Sequence, residues 1–420
     1  MELIKEIGSL ALKEGVRVYL VGGFVRDLYL GHLSPDMDFT VEGDGILFAE
    51  KVAAHYHTNC KAFTRFGTAI LHIPGHRKID FVSARAESYP RSGALPEVVF
   101  ADIGSDLTRR DFTINALALS IQEDDFGMLY GLDESLDDLN HGIIRVIHSG
   151  SFKDDPTRIL RGIRFEKRFG YSIEPGTLEL MKQSIDDGDL HIISVERIRN
   201  EFELAFKEQN PELFFQRAEQ LGIMSSIFPG MKIPPNMGAK IHTYHETHRE
   251  WTSLKIPQHL YQIYFIVLFS NFRFPENLKC AKFLKLKWLS ITYREFNHFE
   301  RHIRQKILHT DRLGIVWRAL KGLHHLTLYM ILCEERNPYI KSMVEKLLMK
   351  EQAIRPFLSG TDLIDMGIEA GRSVGRILDR IYMASLEGHI RSIADEKVLA
   401  LSLWQKHLEN RKKESATQED

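Results

Sequence analysis

The apolar, strand-like run Val18-Tyr19-Leu20-Val21 stops at Gly22-Gly23, and after room for one short helix comes Asp36-Met37-Asp38. No other feature constrains the fold as much as this order. A double glycine after a buried strand lets the chain turn sharply and brings backbone amides within reach of an anion. The helix that follows carries Arg26 one turn in and ends at Gly31. Residues i and i+2 of a strand share a face, so Asp36 and Asp38 project together, and two such carboxylates suit Mg²⁺. A plain turn and a chance D-x-D remain the alternatives for each motif taken alone.

The chain around this stretch reads as a mixed α/β region. Glu2 to Lys13 has one apolar face and ends at Gly15, and Gly45 to His57 is again helical in pattern. Asn59–Phe63, Thr68–Ile73 and Lys78–Ser83 read as strands, the last two joined by a Pro74-Gly75 turn. Asp80, between Ile79 and Phe81, faces away from both. It is either a third carboxylate beside the metal or a solvent-facing strand residue. Ala84 to Ile103, broken by Pro90, Gly93 and Pro96, reads as a mobile functional loop. Asp106 to Leu119 is expected to be a helix containing Arg109-Arg110-Asp111, and Ile143–Ile147 a short strand.

Asp154-Asp155-Pro156 opens another helix, with Asp at the cap and Pro in the first turn. Arg158, Arg161 and Arg164 follow at three-residue steps and so line one side with Asp155. From Leu178 onward nearly every segment is amphipathic at helical spacing, and Glu409 to Asp420 reads as a disordered polar tail. His242, Tyr244, His245, Glu246 and His248 lack the H-E-x-x-H spacing of a metalloprotease and read as a polar helix face.

Composition removes several classes of function. An apolar content of 44% can fill more than one core, and no run approaches the length of a membrane span or a signal peptide's apolar region. A cytoplasmic protein with no membrane partner is expected. Cys60, Cys280 and Cys333 are too few and too scattered for a disulfide framework or a zinc cluster. Residues 1–150 hold 14 Lys and Arg against 22 Asp and Glu, whereas the remainder holds 41 against 35. An acidic, metal-binding head on a basic body fits a polyanionic partner; ordinary solvated helix faces fit the counts equally well.

Taken together, Gly22 to Asp27 with Asp36-Met37-Asp38, Arg109 to Ala116 (R-R-D-F-T-I-N-A), Gly131 to Arg145, Asp154 to Arg158, and Val195 to Ile198 with Glu201-Phe202 resemble the class II tRNA nucleotidyltransferases. That family comprises the CCA-adding, CC-adding and A-adding enzymes and bacterial poly(A) polymerase. The resemblance is detailed over 15–230 and architectural beyond. One departure is Asp154, where the family usually has Glu. The resemblance implies an α+β fold: a catalytic head with a small mixed sheet over 1–147, then an all-α neck (148–210, base recognition), body (211–275) and tail (276–408, tRNA binding).

It also implies attack of a tRNA 3′-hydroxyl on the α-phosphate of CTP or ATP, with Asp36 and Asp38 holding Mg²⁺. Gly22, Gly23, Arg26, Arg109, Arg110, Asp111, Asn115, Asp155, Arg158, Arg161 and Arg164 would then bind the nucleotide. Cytosine and adenine each present a donor beside an acceptor nitrogen, whereas uracil and guanine present the reverse. Asp155 only accepts and Arg158 only donates, so this pair would suit C and A. The other reading is that Asp155 caps its helix and pairs with Arg158. The partners would be tRNA lacking all or part of its CCA end, CTP and ATP, with the protein a monomer or homodimer. CC-only, A-only and poly(A) activities stay open, as does a non-catalytic RNA-binding role. Family members lacking the mobile loop tend to stop after CC, so Ala84–Ile103 argues against CC-only addition.

Overall fold

The computed structural model describes residues 1–32, 36–64, 67–73, 78–88, 97–251 and 261–416. The chain forms two compact units, Met1–Ile233 and Pro234–Asp420. In the first, α1 (Glu2–Glu14) ends on Gly15 in the left-handed conformation. Next come β1 (Arg17–Val21), α2 (Gly23–Tyr29), β2 (Met37–Glu42), α3 (Gly45–His55), β3 (Cys60–Phe63), β4 (Thr68–His72) and β5 (Lys78–Ser83). The expected Pro74-Gly75 turn lies outside the described residues.

In the first unit three elements differ from the sequence expectation. The segment after Ser83 is not all loop: β6 (Arg85–Ser88) and β7 (Glu97–Phe100) form an antiparallel pair with Arg85 opposite Phe100. Its charged residues conceal the strand pattern because Arg85 and Glu87 pair with each other along β6. The helix expected over 106–119 is only α4 (Ile103–Thr108). Both Arg109 and Arg110 turn back onto Asp106, and a 3₁₀ turn (Thr113–Asn115) then leads into β8 (Leu117–Ser120). After β9 (Leu129–Gly131) and α5 (Ser135–His141), the strand expected over Ile143–Ile147 is the two-residue β10 (Ile143–Ile144).

The main sheet has the order β3-β4-β5-β2-β1-β8-β9. All its neighbours are antiparallel except β2 and β5, which run parallel with Asp38 opposite Asp80. Phe39 and Phe81, also opposite, stack at 5.1 Å in the core beneath α3, where Phe48 meets Phe81 edge-on at 5.6 Å. Since Leu20 pairs with Phe39, the Gly22 turn and the Asp36–Asp38 stretch lie at the same end of the sheet.

Helices follow: α6 (Ser151–Asp154), α7 (Thr157–Phe169), then β11 (Ser172–Ile173) parallel to β10, α8 (Pro175–Asp186), α9 (Val195–Ala205) and α10 (Pro211–Gln220). Phe112, just before the 3₁₀ turn, packs edge-on against Phe165 of α7 at 6.0 Å.

Among the described residues of the second unit every regular element is a helix. One core gathers around Phe299, Ile307, Val316, Ile331 and Val344, another around Leu363, Ile381, Ala400 and Trp404. The histidine cluster lies on helix Met237–Glu250, with Tyr244 buried and His242 exposed. Among the described residues no His, Cys, Asp and Glu side chains gather into a group of three or more able to hold a metal. The last helix continues to Ala416, so residues 409–416 are helical rather than a disordered tail. Arg411 on that helix reaches Glu369 at 3.1 Å. Cys60, Cys280 and Cys333 are free thiols. Among the described residues no helix is long and apolar enough to cross a membrane.

Close backbone packing fixes α1 on the sheet. A Cβ on Gly8 would lie 2.2 Å from the Ile121 carbonyl oxygen, an atom of backbone that cannot swing aside. Gly8→Ala should therefore lower stability by about 1–3 kcal/mol, the usual cost of overpacking, despite the better helix propensity of alanine. Urea unfolding measures it, and an unchanged midpoint would mean α1 can shift off the sheet.

Candidate active site

The sheet end and α7 enclose a cleft of about 700 Å³. Gly22, Gly23, Arg26, Asp36, Asp38, Arg109, Arg110, Asp111, Asn115, Asp155, Arg158, Arg161 and Arg164 all line it. Asp80 is not among the lining residues, but the strand register sets it beside Asp38.

The carboxylate end is electrostatically tense. Burial, and after it the Asp80 carboxylate, push the Asp38 carboxyl above its ordinary range. Lys78 Nζ holds Asp80 Oδ2 at 2.5 Å, while Asp80 Oδ1 is buried with no hydrogen-bond partner. Crowded hard oxygen donors, one lacking any donor of its own, fit a divalent cation. Two or three carboxylates do not close a metal cage, which leaves open positions as a substrate-binding metal needs.

The glycine turn works differently from the sequence expectation. Gly22 N–H already donates to Leu117 O at 2.9 Å, so it is not the amide left for a phosphate. Gly22 has φ +65° and ψ −129°, a conformation suited to glycine, and a Cβ there would sit 2.9 Å from Arg110 Nη1. The residue thus clears space for Arg110. Arg26 is buried: it donates to Asp27 and to Asn115 Oδ1, and packs over the Phe169 ring at 4.5 Å.

The cationic wall is braced from behind. Asp106, fully buried, accepts from Arg109 at 2.6 Å and from Arg110 at 2.7 Å. Burial alone would raise its carboxyl, but the two guanidinium groups hold it below the ordinary range. Arg110 Nε remains buried without a partner. Asp111 is likewise held low against burial by Arg161, at 2.7 Å, and by the Asn115 amide. Arg164 lies 3.2 Å from Glu208 and 3.4 Å from Glu201, whose carboxyl burial pushes up.

Asp155 and Arg158 have separate partners. Asp155 Oδ1 accepts from the Thr157 amide and hydroxyl, and its Oδ2 from Arg197 at 2.6 Å. Arg158 donates to Ser151 Oγ at 2.6 Å and to the Arg109 carbonyl at 2.8 Å. The cap half of the alternative reading is therefore present, without the Arg158 pairing. Asp154, the departure from the family pattern, sits 3.6 Å from His148 and outside the lining.

Sequence reasoning missed Glu87, Phe165, Arg168 and Leu204 in the lining, and Asp106 and Arg197 behind it. Arg168 was within reach, since it continues the face of Arg164 by four residues. Glu87, which accepts from Arg109 at 3.0 Å, has no local signal.

Residues 18–145 match the poly A polymerase head domain, and 170–233 match the family described as the probable RNA and SrmB-binding site of polymerase A. The A-adding tRNA nucleotidyltransferase of Halalkalibacterium halodurans is 31% identical over 88% of this chain and 84% of its own. The chain belongs to the class II tRNA nucleotidyltransferases. A second A-adding relative, from Geobacter sulfurreducens, is 32% identical over 96% of the chain, yet the chain spans only 47% of it. Two CCA-adding enzyme structures agree with the fold. An apo form has TM-score 0.76 and 30% identity over 96% of this chain and 95% of that one; the Thermotoga maritima enzyme complexed with tRNA has 0.70 and 29% over 96% and 95%. Nucleotidyltransferases of this kind use divalent metal ions.

The buried Asp106 gives a pH signature. Asp106→Asn should cost about 2–4 kcal/mol at pH 7, because it leaves charged Arg110 without its partner. The folded-state carboxyl lies below its unfolded value of about 4, so its stabilisation is complete above that pH and lost as pH falls through the folded value. Urea unfolding should show the gap between wild type and variant narrowing below pH 4. A gap constant with pH would mean the loss is one of packing.

Proposed function

We propose that this chain extends tRNA 3′ ends with C and/or A from CTP and ATP, in the cytoplasm and without a nucleic-acid template, releasing pyrophosphate. One observation carries this reading: a carboxylate pair and an acceptor–donor pair suited to C and A line the same cleft. The head, neck, body and tail division at 147, 210 and 275 belongs to the same proposal.

Asp36 and Asp38 would hold Mg²⁺, which lowers the pKa of an attacking hydroxyl and neutralises a triphosphate. Arg109, Arg110, Arg161 and Arg168 face the phosphates as pre-positioned charge, the first three held by Asp106, Asp111 and Glu87 so that little rearrangement is needed on binding. The 3′-hydroxyl oxygen bonds to the α-phosphorus as the bond to the bridging oxygen breaks. Asp155 Oδ1 is filled by its two bonds from Thr157, but Oδ2 keeps a lone pair beyond its bond from Arg197, and Arg158 is fixed by Ser151 and the Arg109 carbonyl. That rigidity lets the protein serve as template, because U and G would meet like-for-like groups.

A-only addition is a second reading, supported by the names of the Geobacter and Halalkalibacterium relatives. Incubation with tRNA ending at the discriminator base, at C and at CC, with labelled CTP and ATP separately, separates these readings. No incorporation on any end would sink both.

The second unit offers an RNA-backbone contact. Arg318, Arg376, Arg380 and Lys406 converge on a cavity of about 290 Å³, and none of the four is ion-paired among the described residues. The Asp379 carboxylate there is engaged by Lys321 at 2.5 Å. Charge of this kind holds phosphates without reading sequence, as an enzyme serving every tRNA requires.

Two outcomes are expected. Arg158→Ala should relax discrimination of CTP and ATP against UTP and GTP by about 1–3 kcal/mol in kcat/KM, the scale of one base-edge contact. Equal loss for all four nucleotides would assign the residue to phosphate. Arg376→Ala with Arg380→Ala should reduce the slope of log affinity for tRNA against log salt by about 1.4–1.8, since each phosphate that a cation neutralises adds about 0.7–0.9 to that slope. An unchanged slope would place the RNA elsewhere.

A further inference from the structure

Lys78 takes no part in the reaction proposed for the cleft, yet it lies in the carboxylate cluster. It is two residues before Asp80 on β5 and therefore on the same face. Its Nζ lies 2.5 Å from Asp80 Oδ2, and it is one of the charges acting on Asp38 across the strand register. The lysine is half-exposed, so the ion pair can open without unpacking the core. Asp80 Oδ1, in contrast, is buried and has no partner.

We propose that Lys78 is a built-in counter-ion for the Asp38–Asp80 pair, which a divalent cation must displace or oppose when it enters. This inference rests on the assignment of the metal to the Asp36–Asp38 stretch. The physical reason is repulsion: two neighbouring carboxylates in a part-buried strand pair are unfavourable unless a positive charge faces them. Lys78 supplies that charge on one oxygen and leaves the other bare. Because the ammonium already neutralises the Asp80 carboxylate, the nucleotide-free cleft binds the cation weakly, and strong binding waits for the triphosphate to bring further oxygens. The lysine is a positioning residue that ties metal loading to nucleotide arrival.

The test is Mn²⁺ titration of the full chain without nucleotide, free Mn²⁺ being read by electron paramagnetic resonance. Lys78→Met keeps the length of the side chain and removes its charge, and should tighten the Mn²⁺ Kd about tenfold. Lys78→Arg should behave as wild type. In an Asp80→Asn background, Lys78→Met should no longer matter, because the carboxylate through which it acts is gone. Equal or weaker Mn²⁺ binding by Lys78→Met, or tightening that persists beside Asp80→Asn, would overturn the proposal. Asp38→Asn tests the foundation separately: if it leaves Mn²⁺ binding unchanged, the metal assignment fails, whatever Lys78 does.

Discussion

The part-buried Asp111 carboxylate makes the interaction on which the rest of the cleft depends. One oxygen holds Arg161 of α7, and the other accepts from the Phe112 amide and the Asn115 amide. Asn115 in turn accepts from Arg26 of α2 at 2.6 Å. A single line of hydrogen bonds thus ties the long arginine-bearing helix to the turn that follows β1. Part-buried ion pairs of this kind add little net stability, since desolvation offsets much of their attraction. Their effect is positional: losing either partner would strand a charge, so the geometry admits few alternatives.

The second constraint is the opposition of charge across the cleft. At the sheet end Asp38 lies opposite Asp80 with Asp36 two residues before it, and burial makes ionisation of Asp38 harder. On the other side arginines are held by carboxylates placed behind them, Asp106 and Asp111 foremost. Each half is incomplete without a ligand of opposite sign, and a metal-bound nucleoside triphosphate presents both signs at once. The acidic bias of residues 1–150 reflects this arrangement, because many of the acids there brace arginines or face a cation.

What the sequence disclosed was local. The β1–glycine–α2 unit, the Asp36–Asp38 spacing and the Arg158, Arg161, Arg164 progression follow from strand and helix periodicity. What it concealed was set by distant partners. The helix expected from Asp106 stops at Thr108 because Arg109 and Arg110 fold back on Asp106, and β8 is claimed by β1 nearly a hundred residues earlier. β6 gives no strand signal because its mostly polar residues carry no apolar alternation, and β7, although it holds Val98-Val99-Phe100, is only four residues long. Asp155 and Arg158, three residues apart at the start of α7, are fixed by Arg197 and by the Arg109 carbonyl rather than by each other. No spacing rule could have revealed those partners.

The central claim is that the protein alone, with no RNA present, selects the base. Equilibrium binding of non-hydrolysable analogues of CTP, ATP, UTP and GTP to the tRNA-free protein, by isothermal titration calorimetry with Mg²⁺, tests it most directly. The account predicts that the cytidine and adenosine analogues bind at least about tenfold more tightly than the other two, as one good base-edge contact would give. Equal affinity for all four would contradict it and move base selection onto the RNA.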